Sequence, residues 1–318
     1  MPRDAYLTDE SGLPPHVSGT VVTVGTFDGV HRGHRDVVER LVRRARTLKI
    51  PSVLVTFEPH PLEVVNLAAA PLLLTTHDEK QEVLAETGID YLAVLPFTPR
   101  LAAYSAENFV EVILRRCFRL RELLIGYDHG FGRQRAGNVE VLKTLGSRDG
   151  FGVEVVDPVS GPDGHSISST SIRRAIAGGD LDRAAEALGR LYSVSGRVVK
   201  GAQRGRTIGF PTLNLGGPPL RKLLPPEGVY AVRVQTPAGP IGGMMNLGPR
   251  PTFGDLTTSL EAHLFDTSGD FYGAEVRIDF VARLRETRKF ASADQLAKQL
   301  AQDERDARKC VDSLKRSQ

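Results

Sequence analysis

The feature that most constrains this chain is a change of hydrophobic period near its middle. From residue 19 to about 157, short apolar runs alternate with helical patterns. The runs "GTVVTV", "PSVLVTF", "YLAVLPF", "ELLIGYD" and "FGVEVVD" read as buried strands. After the first run, Val37, Val38, Leu41, Val42, Ala45 and Leu48 share one helical face, with Arg40, Arg43, Arg44 and Arg46 on the other. "DEKQEVLAETG" reads as a helix stopping at Gly88, and "SAENFVEVILRRCF" and "NVEVLKTLGSRDG" read as two more. Strands alternating with helices of about 10–15 residues imply βαβ units and a parallel sheet covered on both faces. Such a sheet binds ligands at the carboxyl ends of its strands.

After a short helix, "DLDRAAEALG", capped by Asp180 and ended by Gly189, the period becomes two. Tyr230, Val232 and Val234 share a face of "GVYAVRV"; Val276, Ile278 and Phe280 share a face of "AEVRIDFVARL". Alternating strands joined by Gly/Pro turns predict an antiparallel barrel or sandwich. A last helix follows, with Ser292 and Gln295 as a capping box and Leu296, Leu300, Ala307, Val311 and Leu314 as its stripe. The expected domains are 1–187 and 188–318.

Composition narrows the function classes. A net charge of +3 over 318 residues gives no argument for nucleic acid or a membrane surface as partner. The longest apolar run, "LAAAPLLL", is short and broken by Pro71, so no membrane span is expected. Cys117 and Cys310 make neither a disulfide framework nor a metal spacing. The charged start "MPRDAYLTDESG" does not read as a signal peptide. These features together predict a cytoplasmic protein; they set no oligomeric state.

The stretch "VVTVGTFDGVHRGH" leaves the first strand and enters the first helix. Backbone N–H groups at a helix start favour a phosphate, Gly25, Gly29 and Gly33 let a ligand approach the backbone, and His31 and His34 can donate to phosphate oxygens. The same histidines could instead bind a metal or be incidental to the helix start. The glycine spacing is not that of a dinucleotide fingerprint, and no Walker loop occurs in the chain. Farther on, "ISSTSIRRAI" puts Ser168, Ser169, Thr170, Ser171 and Arg173 at another helix start, where one serine would suffice as a cap. This makes a candidate second phosphate clamp.

In the second half, "KGAQRGRTIGFPTLNL" spaces Gly201, Gly205 and Gly209 through a basic loop with Lys200, Arg204 and Arg206, which could fold over phosphates or be a solvated hairpin. Thr212 and Asn214 offer oxygens of the kind Mg²⁺ prefers. Glu261, in "SLEAHLFD", shares a strand face with His263 and Phe265 and reads either as a solvated charge or as a carboxylate that accepts a proton from a substrate alcohol.

"HRGH" after a first strand resembles the signature of the adenylyl-transferring nucleotidyltransferases. The fuller set "GTFDGVHRGH", "TFEPHP", "GYDHGFGRQRAG", "SSTSIR", "GRTIGFPTLNL", "NLGPRPTFG", "LEAHLFD" and "LRETRKF" resembles the bacterial bifunctional riboflavin kinase/FAD synthetase family over nearly the whole chain. The resemblance implies a Rossmann-like nucleotidyltransferase domain with a parallel sheet, then an antiparallel β-barrel kinase domain with a terminal helix. It implies phosphorylation of riboflavin to FMN, then adenylylation of FMN to FAD, with ATP as co-substrate and Mg²⁺ as cofactor. By the same resemblance Gly25, Phe27, His31, His34, Ser169, Thr170 and Arg173 handle ATP in the first module. Pro59, Pro61, Asp128 and Phe131 line its flavin site. In the second module Gly205 and Arg206 bind phosphate, Thr212 and Asn214 serve Mg²⁺, and Glu261 is the catalytic base. The sequence departs from the common pattern at His129, Leu213 and Ala262. An enzyme with one degenerate module, a flavin carrier and a tRNA-charging enzyme are the rival readings; against the last, no K-M-S-K-S-like loop occurs.

Overall fold

The computed structural model describes residues 6–7, 12–127, 130, 132, 137–161, 164–201, 209–216, 221–249, 258–267 and 269–317. The chain divides into two compact units, Met1–Ser169 and Thr170–Gln318.

The first unit is built on a six-stranded sheet of β1 (Tyr6–Leu7), β2 (Thr20–Val24), β3 (Ser52–Glu58), β4 (Tyr91–Pro96), β5 (Leu120–Gly126) and β6 (Gly152–Val156). The spatial order is β1-β4-β3-β2-β5-β6, and every pairing is parallel. Its helices are α1 (Arg32–Leu48), α2 (Pro61–Val65), α3 (His77–Ala85), α4 (Pro99–Ala102), α5 (Ala106–Asn108) and α6 (Val139–Asp149). The strands read as unbroken apolar runs because both faces are covered. Val22, Val53, Val55, Leu123 and Ile125 pack on one side with Ile113, Leu114 and Phe118. Val21, Leu54, Leu92 and Leu124 pack on the other with Val38, Leu41, Val42 and Ala45 of α1 and Val83 and Leu84 of α3.

Two details differ from the sequence expectation. Leu48 does not join the α1 stripe and is exposed, because the helix ends there with Lys49 in the left-handed conformation. The helix expected over "SAENFVEVILRRCF" is one α-turn, α5, followed by a π-helical segment, Phe109–Cys117. Apolar spacing alone does not distinguish an i→i−4 ladder from an i→i−5 ladder over so short a stretch.

The second unit opens with α7 (Ser169–Ala177, whose first residue lies at the division) and α8 (Leu181–Leu188). Asp180 caps α8 by accepting from the Arg183 N–H at 3.1 Å, and Gly189 ends it at φ 71°. A closed barrel follows, built from β7 (Ser193–Val199), β8 (Leu213–Leu215), β9 (Gly228–Thr236), β10 (Gly239–Pro249), β11 (Thr258–Leu264) and β12 (Glu275–Arg285), ordered β10-β11-β8-β7-β12-β9. All pairings are antiparallel. Tyr230, Val232, Val234, Met245, Ala262, Ile278 and Phe280 are buried, as the period-two pattern requires. Ala231 and Met244, of the opposite parity, are buried too. The terminal helix α9 (Ala293–Ser317) covers them: Ala231, Met244, Phe265 and Ala307 form one cluster. Arg285 grips the buried Asp303 of α9 through bonds of 2.6–3.1 Å. The expected capping box is half formed. Ser292 Oγ accepts from the Gln295 N–H, but Gln295 Oε1 accepts from the Ala291 N–H, one residue earlier than a box requires.

The contact division falls at the head of α7, whereas the sequence reading puts the boundary after α8. Within the second unit α8 packs on β12 and buries Leu181, Ala184 and Leu188. A fragment of 170–318 is therefore expected to melt at least about 5 °C above a fragment of 188–318, from the burial of Leu181 and Ala184. Circular dichroism melts check this; equal midpoints would show that α8 adds nothing to the barrel.

Candidate active sites

The first site lies at the carboxyl ends of adjacent strands β2 and β3. After Val24 the backbone passes through Phe27 (φ 48°), Gly29 (φ 82°) and Val30 (φ 38°) before α1 begins. Left-handed conformations at a phenylalanine and a β-branched valine carry strain and persist only where surroundings enforce them. Asp28 does this. Its buried carboxylate accepts from the N–H groups of Leu74 and Thr75 at 3.0 Å and from Thr75 Oγ1 at 3.2 Å. Thr75 Oγ1 in turn accepts from the Gly29 N–H at 3.0 Å. The conspicuous aspartate of the motif thus shapes the loop.

His31 is the N-cap of α1. Its Nδ1 accepts from the His34 N–H at 3.3 Å, which places the proton of the neutral ring on Nε2. Gly33 leaves room for that ring, since a Cβ there would lie 3.2 Å from the imidazole. The His31 and His34 rings stack with centroids 3.7 Å apart and planes 18° apart, and Phe27 lies beside His34 at 5.0 Å. The His34 Nδ1 is enclosed and has no hydrogen-bond partner among the described residues. Burial pushes the His34 imidazole well below its ordinary value, and the nearby His31 and Lys80 add to the shift. At neutral pH His34 is therefore uncharged. Gly25 donates its N–H to Val55 O, and a Cβ on it would meet the Phe27 ring at 3.0 Å.

At the end of β3, Pro59 is exposed and Pro61 is the first residue of α2, capped by His60. A cavity lined by Thr26, Asp28, Glu58, His60, Thr75 and Lys80 lies between this segment and the β2–α1 loop. Ser169, at the start of α7, donates its hydroxyl to the Asp28 carbonyl at 2.9 Å. Thr170 is exposed and Arg173 is half-buried. Asp128 and Phe131, like Gly205 and Arg206 of the second unit, lie outside the described residues. Lys80, which lines this cavity, is a residue that sequence reasoning did not single out. The available signal was its place three and four residues before Val83 and Leu84, which puts a lysine on the buried stripe of α3.

The second site lies on the outer wall of the barrel. Register places Asn246, Glu261 and Asn214 side by side across β10, β11 and β8, on the face opposite the core row of Met245, Ala262 and Leu213. Asn214 is buried, and its Oδ1 has no hydrogen-bond partner among the described residues. Gly201 closes over it: a Cβ at that position would sit 2.2 Å from the Asn214 amide nitrogen. Glu261 is half-buried, which removes the fully solvated reading. Thr212 directly precedes β8 and is half-buried. His263 Nδ1 lies 2.8 Å from the Pro211 carbonyl, with the ring edge-on to Phe210 at 5.3 Å; donating to that carbonyl, it holds the segment that leads into Thr212. A buried acceptor oxygen with no partner among the described residues, in register with a carboxylate, fits a hard cation with part of its coordination left to waters or phosphates.

Comparison with known proteins matches both units. The family model of FAD synthetase matches residues 13–171, and that of riboflavin kinase matches residues 188–311. The bifunctional riboflavin kinase/FMN adenylyltransferase of Escherichia coli (strain K12) is 40% identical over 291 residues, 91% of this chain and 92% of that one. The protein of the same name from Pseudomonas fluorescens is 39% identical, covering 89% of this chain and 90% of that one. The crystal structure of a Macrolide-efflux Protein from Streptococcus pneumoniae aligns with a TM-score of 0.84 at 32% identity, over 95% of this chain and 98% of that one. Among the residues described here, no helix is long and apolar enough to cross a membrane.

Proposed function

Because the chain belongs to the bifunctional riboflavin kinase/FMN adenylyltransferase family and is an enzyme of flavin biosynthesis with both activities, we propose how its residues divide the work. The outer wall of the barrel phosphorylates riboflavin. Glu261 orients the ribityl hydroxyl and takes its proton as the γ-phosphoryl group of ATP is transferred, giving FMN and ADP. Thr212 and Asn214 would hold Mg²⁺, which would neutralise charge on the ATP phosphates. The enclosed Oδ1 of Asn214, without a hydrogen-bond partner among the described residues and in register with Glu261, is the observation that carries this assignment. Gly205 and Arg206 supply further phosphate contacts.

The carboxyl edge of the parallel sheet adenylylates FMN. The FMN phosphate attacks the α-phosphorus of ATP, forming the new P–O bond of FAD and expelling pyrophosphate. The nucleophile is already an anion, so no strong base is required, and the site positions the reactants and stabilises charge. His31 and His34, supported by the N–H groups at the start of α1, meet the charge that builds on the leaving pyrophosphate. Gly25 and Phe27 bound the nucleotide loop, and Ser169, Thr170 and Arg173 form a second phosphate contact. Pro59, Pro61, Asp128 and Phe131 receive the flavin. The enzyme works in the cytoplasm on small-molecule substrates, without nucleic acid or membrane as partner.

Incubation with riboflavin, ATP and Mg²⁺, resolved by chromatography, is expected to yield FMN and then FAD. Chelation by EDTA is expected to stop both steps. Accumulation of FMN alone would support an enzyme whose first module is degenerate, and absence of both products would overturn the reading.

A further inference from the structure

Lys80 is a buried cation to which neither reaction assigns a role. It enters from α3, and its ammonium ends 3.3 Å from Thr56 Oγ1, 3.2 Å from the Phe57 carbonyl and 3.5 Å from the Thr26 carbonyl. Thr56 Oγ1 itself donates to the Thr26 carbonyl at 3.1 Å, so the ammonium closes a ring joining the ends of β2 and β3. The Glu58 carboxylate lies 3.9 Å away and is 39% exposed. Burial pushes the Lys80 ammonium down from its ordinary value, while Glu58 and Asp28 pull it back up.

Burying an ammonium is costly, and a core position on α3 would be better filled by an apolar side chain of the same length if stability alone mattered. What this ammonium joins explains its presence. Thr26 belongs to the loop leading to His31 and His34; Phe57 and Glu58 lead directly into Pro59 and Pro61. An ammonium has three N–H donors, and here three protein oxygens lie within 3.5 Å to receive them.

We propose that Lys80 is a positioning residue for the adenylyl transfer. It locks the nucleotide loop after β2 to the flavin segment after β3, so that the FMN phosphate meets the α-phosphorus of ATP in line. The inference rests on the proposed assignment of that edge of the sheet to FMN adenylylation. It explains why the two segments are tied by a charge: an apolar side chain in the same space would fill it but could not hold two carbonyls and a hydroxyl at once.

Two variants test it in the full-length enzyme. Lys80→Met keeps the length of the side chain and removes the donors. Its kcat for FMN adenylylation should fall by about 10–10²-fold, the scale of an ångström-sized misplacement of reacting groups. Riboflavin phosphorylation in the same preparation should stay at the parent rate. Thermal stability should change little, because relief from burying an ammonium offsets the loss of its bonds to the Phe57 and Thr26 carbonyls, and the partly exposed Glu58 can be hydrated. Lys80→Ala should be equally slow but recover on addition of ethylammonium, which can refill the space with a cation. A Lys80→Met enzyme with the parent kcat would overturn the proposal. So would a slow Lys80→Ala enzyme that melts lower and is not helped by the amine, since Lys80 would then be purely structural. The His31→Ala, His34→Ala double variant, assayed alongside, separates the two levels. If it loses FAD formation while Lys80→Met does not, the site assignment stands and the role of Lys80 fails; if neither loses it, the site assignment itself fails.

Discussion

The His31→Ala, His34→Ala double variant is expected to lose FAD formation from FMN and ATP while still converting riboflavin to FMN. The two imidazoles are stacked at the start of α1, and one is the helix cap. Their backbone loop is enforced by Asp28 and belongs to the first unit, whereas the residues proposed for the kinase step belong to the second. Removal of one preorganised donor costs about 10²–10³ in rate, so loss of both should leave activity near background. Residual FAD formation close to the parent rate would refute the assignment.

The protonation of His34 gives the same experiment a second readout. Its pKa is lowered in the folded state, chiefly by burial, so the unfolded chain binds this proton more readily. The stability linked to it is fully present above the ordinary histidine value of 6.5 and is lost as pH falls below it. The parent should therefore lose more thermal stability between neutral pH and pH about 5.5 than a His34→Ala variant does, as paired melts would show.

The second large effect is expected at Glu261. Glu261→Gln keeps the size of the side chain and its ability to hold a hydroxyl but removes the basic oxygen. Riboflavin phosphorylation should fall by about 10²–10⁴, the usual contribution of a positioned general base. The KM for riboflavin should move much less, because the amide still orients the ribityl chain. FAD synthesis from supplied FMN should be unchanged. Kinase turnover within about twofold of the parent would return Glu261 to the role of an outer-wall charge. A uniform loss of both activities, with a lowered melt, would mean that the substitution disturbs β11 and that Glu261 acts through structure.

Much of the architecture was legible in the chain. The parallel sheet followed from apolar runs spaced by helical patterns, because strands covered on both faces have no polar side to display. The barrel followed from period two in "GVYAVRV" and "AEVRIDFVARL". The burial of Ala231 and Met244 did not, since parity predicts an outer face and only the docking of α9 covers it. The residues proposed to react were legible as a family signature, whereas their arrangement was not. Nothing in "GTFDGVHRGH" distinguishes Asp28, held by the backbone of Leu74 and Thr75, from the histidines to which we assign the phosphates. Likewise the pairing of Asn214 with Glu261 requires two strands distant in sequence to come into register. Periodicity and local signals determined which segments become strands and helices and which short motifs carry reactive groups, because those depend on neighbours along the chain. Burial of the Asn214 oxygen, depression of the His34 imidazole and the enclosure of the Lys80 ammonium between β2 and β3 were decided only by tertiary structure. Desolvation and hydrogen-bond geometry depend on which distant segments are packed around a group.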